Sequence, residues 1–396
     1  MKLVVIPSGF KECLDACEVA SAMERGAKAF DASIDMEVIP MIDGGEGFAK
    51  RIADLKGGEI VYHDATGPVG QTIKSHFGMY RENGNVYAVI EMAAVAGLSL
   101  VPSMQRNPLL TSTQGVGELI IEAINQGATN LLIGCGDSGT SDGGAGMAQA
   151  LGVKFYDNQD MLLNIQGAKD LPKVAKLDIS EIDPRLQDIT MDVACNWTNI
   201  LCGEKGVARV FGPQKGASTQ QVEELAYALE HFASLIDRTK GHDVRTIPGG
   251  GASGGLGAGL VAFAGATLHP RFEVIMQYID MEKAISTADV ILTAEGSLDF
   301  QTPNGKIPAE VARIAKKYNI PVIALTGTIG KGAKRNCLIG IDAYISIIPK
   351  PTSLEHAIKK APKWIAESTE MVLRQIFVGV TIAQKQSYYQ KERDLV

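Results

Sequence analysis

The chain opens on an unbroken apolar run, KLVVIP, of the kind that fills a strand buried on both faces. It passes through SGF into a helical pattern, KECLDACEVASAMERGAKAF. A second strand, MEVIPMI, leads through DGGEG to a short helix near FAKRIADL. From Glu59 the period changes. The stretch EIVYHDATGPVGQTIKSHFGMYRENGNVYAVIEMA contains alternating segments broken by Gly-Pro and Glu-Asn-Gly-Asn, which predicts β-hairpins. Helix and strand then take turns again. GVGELIIEAINQGA is a helix, NLLIG a strand, GAGMAQALG a helix and ITMDVACN a strand. STQQVEELAYALEHFASLI is a helix with a capping-type start, and GGGASGGLGAGLVAFAGA a glycine-rich loop feeding another. The last third returns to the texture of the first residues. ADVILTAEG, PVIALTG and AYISIIP are strands, AEVARIAKKYN is a helix between the first two, and SLEHAIKKAPKWIAESTEMVLRQIF closes the pattern.

Three late strands with crossover helices complete a sheet begun by the first two. The expected fold is therefore α/β: a flavodoxin-like doubly wound parallel-sheet domain, interrupted by a second, mixed α/β domain. Residues 1–63 with 284–378 form the discontinuous domain in this reading, and 64–283 the insertion. The polar tail, residues 379–396, is either frayed or docked on the second subunit of a homodimer.

Composition adds bounds to this pattern. At 396 residues, two domains are the natural expectation. The apolar run at the start is too short for a signal peptide and no long uncharged apolar stretch follows, which predicts a cytoplasmic protein without a membrane span. A net charge of −7 argues against binding nucleic acid, so an anionic ligand must be met by local lysines and backbone N–H groups. The six cysteines form no CxxC pair, so they read as reduced thiols rather than a zinc site.

The chemistry gathers in loops after strands. GCGDSGTSDGGAG, Gly134 to Gly146, holds a GxGxxG at Gly134, Gly136 and Gly139, with Asp157 about twenty residues on. That is the fingerprint of a nicotinamide-dependent dehydrogenase. Asp137 counts against it, because a carboxylate would stand where pyrophosphate charge belongs, and the helix starts only after TSDGG. The same spacing recurs at Gly249, Gly251 and Gly254, so the pattern is cheap here. Phosphate remains a fitting ligand for consecutive glycines ahead of a helix. No GxxxxGK[ST] occurs, so a nucleotide user would rely on carboxylates to hold Mg²⁺ and on lysines to offset phosphate charge. Lys11, Asp43, Glu46, Asp142, Glu295 and Asp299 all stand where strands end, the ligand edge of a doubly wound sheet. Singly, each carboxylate reads as a helix N-cap; together they favour a shared site. Lys215, in VFGPQKGAS, is either a solvated turn lysine or a phosphate contact.

These loops, in this order, resemble the class I glycerate kinases of bacteria. The resemblance runs from Met1 to about Phe377. It is carried by DGGEG, TGPVG, VIEMAAVAGL, RNPLLTSTQGVGELI, the DGGAGM and QALG segments, VFGPQKGA, GGLGAGL and the EG, LD, QT and NGK positions near residue 300. It implies ATP- and Mg²⁺-dependent phosphorylation of D-glycerate, typically to 2-phosphoglycerate. It also places GCGDSGTSDGGAG at the cleft between the domains, close to substrate or phosphate. Several positions depart from the usual pattern. Ser8 and Gly9 replace Asp-Ser, Asn196 replaces an aspartate and Ser297 an arginine, while Gly136-Asp137-Ser138-Gly139 opens the glycine loop differently. A serine cannot copy a guanidinium's two-pronged hold on a carboxylate, so these positions bear on which acid is bound.

The expected assignments follow. Lys11, Asp43, Asp142 and Asp299 are the catalytic set, with Asp142 orienting or deprotonating the hydroxyl and Asp299 and Asp43 holding Mg²⁺. Ser8, Ser138, Asn196 and Ser297 face the hydroxy acid. Lys215, Gly254, Gly255, Gly257 and Glu295 face the nucleotide or its phosphates. A non-catalytic or altered-specificity relative that binds a sugar acid or nucleotide is the alternative, with an NAD-dependent dehydrogenase behind it.

Overall fold

The structure is a computed structural model that describes residues 1–394 apart from Lys11, Glu12, Ile42, Asp43, Ile279, Asp280 and Asn304, with side chains described as far as Lys385. Along the chain, strands β1 (Lys2–Pro7) and β2 (Asp35–Val38) come first. Next come β3 (Glu59–Thr66), β4 (Thr72–Glu82), β5 (Asn85–Glu91) and β6 (Asn130–Gly134). The short β7 (Lys154–Tyr156), β8 (Leu162–Leu163) and β9 (Lys176–Asp178) precede β10 (Thr190–Cys195) and β11 (Thr267–Pro270). The chain ends with β12 (Val290–Leu298), β13 (Val322–Ile329) and β14 (Ala343–Ser346).

The chain divides into two compact units, residues 1–41 with 280–396 and residues 42–279. The first holds a parallel sheet in the order β2-β1-β12-β13-β14. Counted within the unit this is 2-1-3-4-5, the flavodoxin order, whose switch point lies between β1 and β12. Leu3 and Val5 join Val290, Leu292 and Ala294 in a core under the helices Ala16–Phe30 and Leu354–Asp394. Val4 and Ile6 point to the opposite face by the pleat and are equally buried, beneath the helix Ile307–Lys317. Both faces are covered, which is why the KLVVIP run has no polar alternation. Gly26 lets the two long helices meet closely: a Cβ there would stand 2.2 Å from the Ala366 carbonyl oxygen. Beyond Phe377 the closing helix continues to Asp394, so most of the expected polar tail is helical.

The second unit is built on a six-stranded sheet, β11-β10-β6-β5-β4-β3. β5, β6, β10 and β11 run parallel, while β3, β4 and β5 form the antiparallel meander that the turn signals predict. Asn83 and Gly84 both have positive φ between Glu82 and Asn85, the geometry of a two-residue hairpin turn. The helices Gln114–Asn125 and Ala252–Ala264 pack on this sheet, and Phe155 and Phe232 anchor a further core with the helix Thr219–Lys240. The chain enters this unit at residue 42 rather than at 64, because β3 pairs along its whole length with β4. The helix Phe48–Leu55, which precedes β3, belongs to the same unit and lies on β4 so closely that a Cβ on Gly78 would stand 2.7 Å from the Ala49 oxygen. Among the described residues, no helix is long and apolar enough to cross a membrane.

Candidate active site

In the 42–279 unit, the parallel strands β5, β6 and β10 end side by side at Glu91, Gly134 and Cys195. The glycine loop leaves from the middle one. What comes close to its bare backbone is, first, other backbone. A Cβ on Gly136 would stand 2.6 Å from the Gly45 nitrogen, and one on Gly139 2.8 Å from the Gly97 oxygen. From the other side, a Cβ on Gly254 would lie 2.0 Å from the Thr140 oxygen, and one on Gly255 2.7 Å from the Gly143 Cα. Ser253, Gly254 and Gly255 are all left-handed, a kink that lays them against this loop before the helix proper begins. Gly257 sits over the Gly249 oxygen at 2.5 Å, measured to a Cβ it lacks. All three expected phosphate-facing glycines are thus buried in close packing.

Lys215 is not a solvated turn lysine. It is 3% exposed, and its ammonium donates to the Thr140 carbonyl at 2.6 Å, the Ser138 hydroxyl at 2.8 Å and the Ser141 hydroxyl at 3.4 Å. A cation is therefore set into the glycine loop. Asp142 lies in the same loop with no exposed surface. It accepts from the N–H groups of Thr113, Gly144 and Gly146 and from the Thr113 hydroxyl, at 2.8 to 3.1 Å. Burial pushes its pKa up, against those hydrogen bonds. The catalytic role expected of Asp142 does not fit this geometry, since both oxygens are committed to fastening the starts of the helices Gln114–Asn125 and Ala145–Ala150. The plain helix-cap reading does. Asn196, after β10, turns its amide oxygen back onto the N–H and hydroxyl of Thr198, at 3.2 and 2.9 Å.

In the other unit, the switch point of the sheet gathers a second set. Ser8 follows β1, is 8% exposed, and its hydroxyl donates to the Ala294 oxygen at 2.9 Å. On β12, Glu295 takes the Lys306 ammonium at 3.0 Å; Asp299 lies 3.9 Å from the same ammonium, which also donates to the Ser297 carbonyl at 3.2 Å. The Ser297 hydroxyl donates to Asp299 Oδ2 at 3.3 Å. Asp299 is further fixed by the N–H of Gln301 at 2.8 Å. Two carboxylates and one cation thus share the edge where a doubly wound sheet binds its ligand.

A model of the glycerate kinase family matches residues 3–377. The glycerate kinase of Halalkalibacterium halodurans is 41% identical over 370 residues, which is 93% of this chain and 97% of that one. The glycerate 2-kinase of Escherichia coli is 39% identical over 380 residues, 96% and 99% of the two chains. A crystal structure described as a glycerate kinase 2 from Salmonella typhimurium LT2 superposes with a TM-score of 0.73 at 40% identity, covering 96% of this chain and 99% of its own.

The chain belongs to the glycerate kinase family.

It is accordingly a phosphotransferase that acts on a hydroxyl group. The dehydrogenase reading falls for structural reasons as well. The helix after the GxGxxG begins only at Ala145, the faces of Gly136 and Gly139 are taken by protein backbone, and Asp157 caps a turn after β7 through the N–H groups of Gln159 and Met161. Nor is there a thiol nucleophile among Cys135, Cys195 and Cys202, whose pKa values burial raises. Lys11 and Asp43 lie outside the described residues. Two residues escaped the sequence reading. Lys306 is the lysine of NGK, and Glu91 the acid of VIEMAAVAGL; both stand in quoted segments, and the signal for Glu91 was its place as the last residue of a parallel strand.

Proposed function

We propose that this protein uses ATP and Mg²⁺ to phosphorylate a small hydroxy acid in the cytoplasm, D-glycerate first, giving 2-phosphoglycerate. The observation that supports it best is the Glu295, Lys306 and Asp299 cluster at the switch point, together with the names of the relatives. Phosphoryl transfer asks a protein mainly for positioning and for neutralising charge. Mg²⁺ takes oxygen ligands and commonly uses one or two carboxylates plus phosphate oxygens. Asp299 and Glu295 are donors of that kind, and they would hold the ion. With one or two carboxylates as ligands, phosphate and water oxygens would complete its shell. When bound, the ion offsets charge on the transferring phosphoryl group. Lys306 balances the carboxylates, and Lys215 keeps the loop from Ser138 to Ser141 at fixed geometry while adding a buried positive charge.

An altered acid specificity is the second reading, favoured by Ser8, Asn196 and Ser297, each of which is turned inward onto its own surroundings. ADP release from Mg·ATP over a panel of hydroxy acids tests both. Turnover on D-glycerate with 2-phosphoglycerate as the product, abolished by a chelator, is expected. Turnover confined to another acid would transfer the assignment to that acid, and silence across the panel would overturn it.

A further inference from the structure

Strand β5 ends on Glu91, which is 3% exposed. One carboxylate oxygen accepts the N–H of Gly47 at 3.1 Å and the other the N–H of Ala49 at 2.7 Å. These amides open the helix Phe48–Leu55, and the turn just ahead of it lies on the glycine loop. A Cβ on Gly134 would stand 2.6 Å from the Gly44 oxygen, and one on Gly136 2.6 Å from the Gly45 nitrogen. At the tip of the turn, Glu46 accepts the Ser99 hydroxyl at 2.6 Å and sends its own N–H to Asp137 at 3.4 Å. One buried carboxylate thus ties the end of a central strand to the turn that covers the loop receiving Lys215.

We propose that ionised Glu91 is a positioning residue for phosphoryl transfer, holding the Gly44–Gly47 turn against the glycine loop and so fixing that loop's shape. This rests on the phosphotransferase reading. An ionised carboxylate can accept both amides, whereas a protonated one turns one oxygen into a donor and leaves an amide without its partner. The groups facing Glu91 are His76 from β4, with Nε2 3.6 Å away, Lys50 from the helix and Glu46 from the turn. Burial, and then Lys50, hold the His76 pKa below its usual value, so that ring is neutral at neutral pH. Burial lifts Glu91 to about 7, with the two N–H groups and Lys50 opposing and Glu46 adding to the rise. The carboxylate therefore titrates in the working range: the turn is held above that pH and released as pH falls through it.

The test measures kcat and KM from about pH 5.5 to about pH 8.5 in the full-length protein and in Glu91→Gln. Wild-type kcat is expected to rise with a midpoint near 7. The Gln variant should lose that limb and run roughly tenfold slower at high pH, with KM for Mg·ATP little changed. Amide hydrogen exchange at Gly47 and Ala49 provides a second readout that needs no acceptor. It should quicken in the variant, and in wild type on acidification once intrinsic rates are removed. A variant that retains the acid limb and wild-type kcat, or unchanged protection at both amides, would overturn the proposal. If wild type phosphorylates no acid, the phosphotransferase reading fails on its own account, while exchange still decides whether Glu91 holds the turn.

Discussion

Asp142 makes its loss a matter of stability before chemistry. Its four hydrogen bonds fasten two helix starts in a place with no solvent. Asp142→Asn keeps the shape but turns a donor toward an N–H, and should cost about 2 to 3 kcal/mol in urea unfolding. The pH dependence has a defined sign. Because burial raises the folded pKa above the unfolded value, the native state holds the proton more tightly, so wild-type stability falls as pH climbs from about 3.9 toward the folded value. Asparagine has no proton to bind. The stability gap between the two proteins should therefore widen on acidification through that window, with turnover per folded molecule largely kept. An Asn variant as stable as wild type but catalytically dead would restore the chemical role. This is where residue-level reading of sequence reached its limit. An aspartate before Gly-Gly at a strand end looks the same whether it caps a helix or meets a ligand, and only burial separates the two.

The elements themselves were far more legible, because each long one carries its own period. The β4–β5 hairpin follows from Asn83-Gly84 between alternating segments, and the helix Thr219–Lys240 from Ser218 and Gln221, which form a capping box. β7, β8 and β9 run two or three residues each, too short to show alternation, and exist because they pair with one another beside the Phe155 core. The kink before the helix Ala252–Ala264 is half legible: glycines mark a loop, but not what it touches. Gly254, at φ 71°, would place a Cβ 2.0 Å from the oxygen that accepts from Lys215. Gly254→Ala combines left-handed strain with that overlap and should destabilise by at least about 3 kcal/mol. It should also slow turnover, because the Lys215 acceptor must move. Thermal melts and steady-state kinetics on the purified variant check both, and a wild-type melting temperature would mean the turn relaxes at no cost.

At the scale of the whole molecule, the repeat of strand texture at both ends of the sequence announces a discontinuous unit, and strand order 2-1-3-4-5 realises it. The point of interruption was harder to see. The helix Phe48–Leu55 looks like the next crossover of the first sheet, and its packing on β4 with the Glu91 hydrogen bonds to its first amides assigns it to the insertion. That division has a consequence. Residues 42–279 contain a complete six-stranded sheet and two cores made from their own side chains, whereas residues 1–41 are one part of a sheet finished by residues 280–396. A segment with its own core can fold alone, while a sheet missing three of its five strands cannot. A 42–279 fragment should therefore unfold cooperatively in urea. Of the two tryptophans, Trp197 lies in the insertion and Trp364 in the other unit. The fragment's Trp197 transition should match that of full-length Trp364→Phe to within about 1 kcal/mol. A fragment that melts without a transition, or well below the full-length signal, would show that the insertion draws its stability from the sheet it interrupts.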